Sequence, residues 1–133
     1  MVAGRRRVVI TGMGCVTPLG VTVEELWGNL KEGRSGVATT TVFDATRFPT
    51  KIAAEVKNWS VCDEGQTEDR WQHCGRHTKF AVGAASQAMK HAGLPQGLSS
   101  APERLGIYLG SGEGQQDFDS FTKRSEEHTS ELQ

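Results

Sequence analysis

A chain of 133 residues with 36% apolar content is long enough for one ordinary domain, and no region is so polar or charged that it must stay unfolded. Its 15 Lys and Arg against 16 Asp and Glu give a formal charge of −1, which excludes a global pull toward nucleic acid or membrane and leaves electrostatic recognition to local patches. With no apolar run near ~18 residues and no apolar core of a secretory signal, the expectation is a soluble, unexported, cytoplasmic protein.

The chain opens on its most informative stretch, residues 5–20, RRRVVITGMGCVTPLG. Val8, Val9, Ile10 and Thr11 form a continuous β-branched run without alternation, the pattern of a strand covered on both faces in a parallel sheet. Gly12, Gly14, Pro18 and Gly20 then break it into a loop. Gly12 and Gly14 allow a sharp turn or an approach too close for a Cβ, and Pro18 fixes φ ahead of the first helix.

Thr22 and Glu25 have the spacing of a capping box, and Val23, Leu26, Trp27 and Leu30 recur at helical period behind it. Trp27 reads as core. Gly33 stops the helix in a left-handed closing residue, and residues 34–36 continue as a turn. From residue 37 to 76 the signal thins to scattered anchors, Phe43, Phe48, Ile52, Val56 and Trp59, with a short strand expected over 51–56. Asp63, Glu64, Glu68 and Asp69 read as a solvated face, because paired catalytic carboxylates need burial to separate their pKa values.

A second helix is expected over roughly 77–92. Ala81, Ala85, Ala88 and Ala92, with Gly83 and Ala84 beside them, form a seam of small side chains suited to close packing in a layered α/β core. Lys79, Ser86 and Lys90 fall on the expected exposed side, and Gly93 and Pro95 end the helix. Residues 105–110, LGIYLG, read as a second buried strand opening into Ser111, Gly112, Glu113 and Gly114. A right-handed crossover would put both strands in one parallel sheet, with the two glycine loops as neighbours beyond their carboxyl ends, where ligands of such sheets sit.

Three cysteines at unrelated spacings, Cys15, Cys62 and Cys74, argue against a disulfide framework. His73, Cys74 and His77 crowd together, but no CxxC pair or fourth ligand accompanies them, so the reading is a polar loop entering a helix and no metal. Gly12-x-Gly14 after a strand raises dinucleotide binding. The fingerprint wants a third glycine where Thr17 stands, and here the helix is delayed until after Thr22. No cofactor is expected.

The opening RRVVITGMGCVTPLG, the EELWGNLKEGRSG helix and the later GIYLGSGEG together resemble the amino-terminal part of a β-ketoacyl-acyl carrier protein synthase of the elongating type, with the α/β thiolase-like fold. The resemblance runs from about residue 5 to about residue 123 and implies a partial domain over 1–123 of a longer protein. It implies a decarboxylating Claisen condensation, with acyl carrier protein as partner and a homodimeric parent. The family's nucleophile sits in a TACSS-like turn and its histidines in HGT-like and GH-containing motifs, none of which occurs in this sequence. Cys15 holds the variable place in GMGxVTP, and His73, His77, His91 and His128 match neither histidine motif. No catalytic residue is therefore expected here, nor condensing activity from these residues alone.

The resemblance bears on two further places. Gly112 and Glu113, in GSGxG, would border the acyl pocket near the dimer interface, where a carboxylate is costly unless paired or turned away. Arg70, Arg76 and Lys79 lie near where a basic patch would meet the acidic carrier protein and raise encounter rates. Residues 124–133, RSEEHTSELQ, abandon the resemblance and match the in-frame translation of a common sequencing-adapter string, so they are expected to be non-native. The other reading is a natural disordered tail. A chain of this extent is expected to expose sheet edges and apolar surface.

Overall fold

The computed structural model describes residues 7–94 and 102–110. Three α-helices, α1 (Val23–Lys31), α2 (Glu68–Trp71) and α3 (Arg76–His91), are joined by two short strands, β1 (Val37–Thr39) and β2 (Ile52–Ala54). Two 3₁₀ turns, Val61–Glu64 and Pro102–Arg104, complete the described elements.

The helix boundaries follow from local chemistry. Thr22 Oγ1 accepts from the Glu25 N–H at 3.2 Å, while the Glu25 carboxylate reaches back to the Val21 N–H at 2.9 Å, one residue further than in an ideal capping box. Both long helices close in the same way. Gly33 and Gly93 take φ of 66° and 67°, and the pairs of bonds Gly33 N to Leu30 O and Arg34 N to Asn29 O, Gly93 N to Lys90 O and Leu94 N to Met89 O satisfy the last carbonyls.

β1 and β2 pair antiparallel, with Val37 opposite Ala54 and Thr39 opposite Ile52, so the strand expected over 51–56 forms in shortened form. The Glu55 carboxylate then closes the connection. It accepts from the Thr41 N–H at 2.9 Å, the Thr41 hydroxyl at 2.8 Å, the Val42 N–H at 3.3 Å and the Thr40 hydroxyl.

The two runs expected as buried parallel strands differ from that expectation. Neither residues 8–11 nor residues 105–110 form strands, and Val8, Ile10, Ile107 and Tyr108 are 92%, 84%, 73% and 98% exposed. A doubly covered strand is made by its neighbours, and among the described residues no strand or helix supplies them to either run. Trp27 is likewise exposed, at 61%, because nothing among the described elements covers that side of α1.

The interior that does form lies between α3 and the 3₁₀ turn Val61–Glu64, where Val61, Glu64 and Gly83 are buried. Ser60 caps this turn, accepting from the Cys62 N–H, and Asp63 accepts from the Ser60 N–H at 2.8 Å. The acidic cluster is a solvated face at Asp63, Glu68 and Asp69, which are exposed, and departs from that reading at Glu64. Asp63 is a cap, Glu64 is buried beside Lys90, and Glu68 pairs with Lys79 at 2.6 Å. The face of α3 carrying Lys79, Ser86 and Lys90 is accordingly covered in part by residues 61–71, with Lys79 and Ser86 half-buried and Lys90 still exposed.

Candidate functional site

The glycine loop expected from the sequence packs directly on α3. A Cβ at Gly12 would overlap the Ala88 carbonyl oxygen and stand 2.8 Å from the Ala92 nitrogen. At Gly14 it would overlap the Ala84 carbonyl oxygen and stand 2.6 Å from Gln87 Cβ. The seam that receives the loop is therefore Ala84, Ala88 and Ala92, at i, i+4 and i+8, whereas Ala81 and Ala85 of the expected seam are exposed. Close approach to helix backbone consumes the space that the glycines leave. The dinucleotide reading fails on the same geometry, since carbonyl oxygens, which repel phosphate, occupy the place where a pyrophosphate would have to approach.

Beyond Gly14 the chain folds into a tight turn over Thr17, Pro18, Leu19 and Gly20. Thr17 N–H donates to Gly20 O at 3.0 Å, Gly20 N–H donates to Thr17 O at 3.2 Å, and the Thr17 hydroxyl donates to Gly20 O at 2.9 Å. Pro18 occupies the second position, where its fixed φ favours the turn. Asn29 of α1 anchors it by donating from Nδ2 to Leu19 O at 2.5 Å. Residues 17–21 form one wall of an open cavity of about 450 Å³ whose other sides include Asn29, Gly36, Val37, Glu55 and Lys57.

Gln87 joins this loop to the interior. Its Oε1 accepts from the Cys15 N–H at 3.1 Å, and its Nε2 donates to Val21 O and to Glu64 Oε1, each at 2.7 Å. Lys90 donates to the other Glu64 oxygen at 3.1 Å. Neither Gln87 nor Glu64 stood out in the sequence as a site residue. A Gln on an alanine-rich helix face was the available signal.

The three basic residues expected at a carrier-protein dock divide into two places. Arg76 and Lys79 line a cavity of about 240 Å³ with Trp59, Glu68 and Phe80, whereas Arg70 lines a separate one of about 480 Å³ with Ser86, Met89, Lys90 and Leu94. Lys79 is engaged by Glu68, and that bond holds the Glu68 carboxyl below its ordinary value. Arg76 donates to Val56 O at 3.0 Å and lies 5.5 Å from the Phe80 ring centroid, and Arg70 lies 5.4 Å from that of Trp71. Gly112 and Glu113 lie outside the described residues, so the neighbourhood of the two glycine loops does too.

Burial pushes the Cys15 thiol above its ordinary value, and Glu24 and Glu25 add to the rise, the opposite of what a nucleophile needs. Cys62 and Cys74 are free thiols. Among the described residues no group of three His, Cys, Asp or Glu side chains is placed to hold a metal ion, and no helix is long and apolar enough to cross a membrane.

Residues 5–132 match the family model for the β-ketoacyl synthase N-terminal domain. The chain is 43% identical over 113 residues to 3-oxoacyl-[acyl-carrier-protein] synthase 2 of Coxiella burnetii, covering 83% of this chain and 26% of that protein. It is 38% identical over 110 residues to the synthase 2 of Vibrio harveyi, with the same coverage. Among solved structures it is similar to the ishigamide ketosynthase/chain length factor, with 37% identity and a TM-score of 0.58 over 69% of this chain and 23% of that one. The chain spans about a quarter of the length of the curated relatives it matches. The glycine loop seated on a small-residue helix is thus part of a thiolase-like fold, and the chain belongs to the β-ketoacyl synthase family, in the region of its N-terminal domain.

Proposed function

We propose that this chain supplies amino-terminal scaffold to an elongating 3-oxoacyl-[acyl-carrier-protein] synthase in fatty-acid or polyketide synthesis. In that reaction a cysteine thiolate takes an acyl group from acyl carrier protein and releases the carrier thiol. Malonyl carrier protein then loses carbon dioxide, and the resulting enolate carbon attacks the acyl-enzyme carbonyl. A carbon–carbon bond forms, the bond to the cysteine sulfur breaks, and 3-oxoacyl carrier protein leaves.

The observation that carries this reading is the 43% identity over 113 residues to a synthase of that name. Cys15 is not set up as the nucleophile, since it occupies the variable place of the glycine loop and its thiol is pushed up. The role we assign to these residues is positional. The loop on α3 fixes the start of the layered core, and we read residues 1–123 as a partial amino-terminal domain of a longer protein and residues 124–133 as a non-native tail, although the family match runs on to residue 132.

Of the three basic residues read as a carrier-protein dock, Arg70 and Arg76, more than the Glu68-paired Lys79, would steer an acidic carrier protein, each from its own cavity. Gly112 and Glu113 border the acyl pocket near the interface of a homodimeric parent, which works as a soluble cytoplasmic enzyme. Acyl- and malonyl-carrier protein incubated with the purified chain should give no 3-oxoacyl product. The same residues restored to a full-length reading frame should give it. Turnover by the 133-residue chain overturns the scaffold role, and an inactive full-length protein overturns the synthase reading.

A further inference from the structure

One side chain of α3 holds both ends of the turn that walls the 450 Å³ cavity. Cys15, whose N–H bonds to Gln87 Oε1, lies just before the Thr17–Gly20 turn, and Val21, whose carbonyl bonds to Gln87 Nε2, lies just after it. These contacts span 72 and 66 residues of sequence, so they are tertiary and not a by-product of local structure. The second proton of Nε2 goes to Glu64, which is 8% exposed and is itself held by Lys90.

The chemistry selects an amide at this position. One acceptor and two donors on adjacent atoms are required, and among side chains of this length only Gln carries them. The orientation is also determined. A flipped amide would turn its oxygen toward both the Glu64 carboxylate and the Val21 carbonyl, and its protons toward the Cys15 N–H. Glu64 thus sets which way Gln87 faces, and Lys90 sets Glu64.

We propose that Gln87 is a positioning residue, a latch that fixes the residue 17–21 wall of the cavity from α3, with Glu64 and Lys90 orienting its amide. The latch requires nothing of the condensing chemistry. Its release frees the backbone at Cys15 and exposes the half-buried thiol beside it.

The test uses the full 133-residue chain and its own three free thiols. Gln87→Met keeps the length of the side chain and removes all three bonds without adding charge. Iodoacetamide alkylation followed by mass spectrometry should show the Cys15 rate raised at least tenfold, with Cys62 and Cys74 changed less than twofold. Cys62 is already exposed and serves as the reference, so a merely structural role raises the half-buried Cys74 together with Cys15, and that result, or an unchanged Cys15, overturns the proposal. Should the variant fail to fold, hydrogen exchange of the unsubstituted chain decides instead. The Cys15 amide lies outside every helix and strand, and the latch predicts that it exchanges at least tenfold more slowly than an unstructured amide. Exchange at the unstructured rate overturns the proposal.

Discussion

Gly14 and Ala84 are packed backbone to backbone, with the Ala84 carbonyl oxygen filling the space where any side chain at residue 14 would begin. Helix backbone cannot swing aside as a flexible side chain can, so Gly14→Ala must move the loop or α3. The expected cost is about 1–3 kcal/mol or more, the range for overpacking a closed site. Gly28 is the control, since it lies inside α1 and a Cβ there would meet nothing within 4 Å. Gly28→Ala should stabilise by roughly 0.5–1 kcal/mol through helix propensity alone. Urea midpoints of the two variants should move in opposite directions, and a neutral Gly14→Ala would show that the contact is not tight.

The Glu55 clamp gives a pH signature. Hydrogen bonds from the Thr40 and Thr41 hydroxyls and the Thr41 amide pull its carboxyl down from 4.5 to about 2. A carboxyl whose folded-state pKa is depressed contributes stability that is whole above its unfolded value and is lost as pH falls through the folded one. The contribution should therefore fade between pH 4.5 and about 2. The Thr41 amide resonance should titrate at the low end of that window. Glu55→Gln should flatten this part of the acid-stability profile while leaving the profile at neutral pH parallel to the parent's, and an unchanged acid limb would disprove the clamp.

How far the sequence revealed these features depended on how local their causes are. Thr22, Glu25, Gly33 and Gly93 act within one helical turn of themselves, and their roles were legible from spacing alone. That Gly12 and Gly14 mark a close approach was also legible, but not that Ala84, Ala88 and Ala92 receive it, because helix rotation is set by the partner. The β-branched run at residues 8–11 has the composition of a buried strand, yet composition states a capacity for pairing, and pairing needs a neighbour. Lys79 looked like a free cation because its partner, Glu68, is 11 residues away on another helix. The Gln87 and Glu64 contact was hidden for the same reason, across 23 residues.

Trp59 provides a test of an unmatched polar group. Its ring lies over Gly83, where a Cβ would be 3.0 Å from Cη2, and it meets Phe80 at a centroid distance of 5.4 Å. Its Nε1 is buried without an acceptor among the described residues. An orphaned donor costs about 1–3 kcal/mol, so Trp59→Phe removes a penalty as well as ring area. The net change should stay within about 1 kcal/mol, against ~3 kcal/mol or more for Trp59→Ala. Equal losses in the two variants, read from thermal melts, would mean that the indole nitrogen is satisfied in solution.

The exposed apolar runs predict how the chain behaves at concentration. Val8, Val9 and Ile10 are 92%, 65% and 84% exposed, and Ile107, Tyr108 and Leu109 are 73%, 98% and 80% exposed. Both runs combine β-branched or aromatic residues with backbone groups free of any ladder among the described residues, which is the composition of an adhesive edge. Burying such side chains gains about 25 cal/mol per Å² of apolar surface, so association needs no designed interface. The 133-residue chain should therefore bind a dye that reports exposed apolar surface, and its scattering mass should rise with concentration. Ile10→Lys together with Ile107→Lys places a charge in each run and should lower both signals, because a like charge facing itself across a self-paired edge is unfavourable. A monodisperse monomer for the parent chain, or undiminished association in the double variant, would show that these two runs are not the adhesive surface.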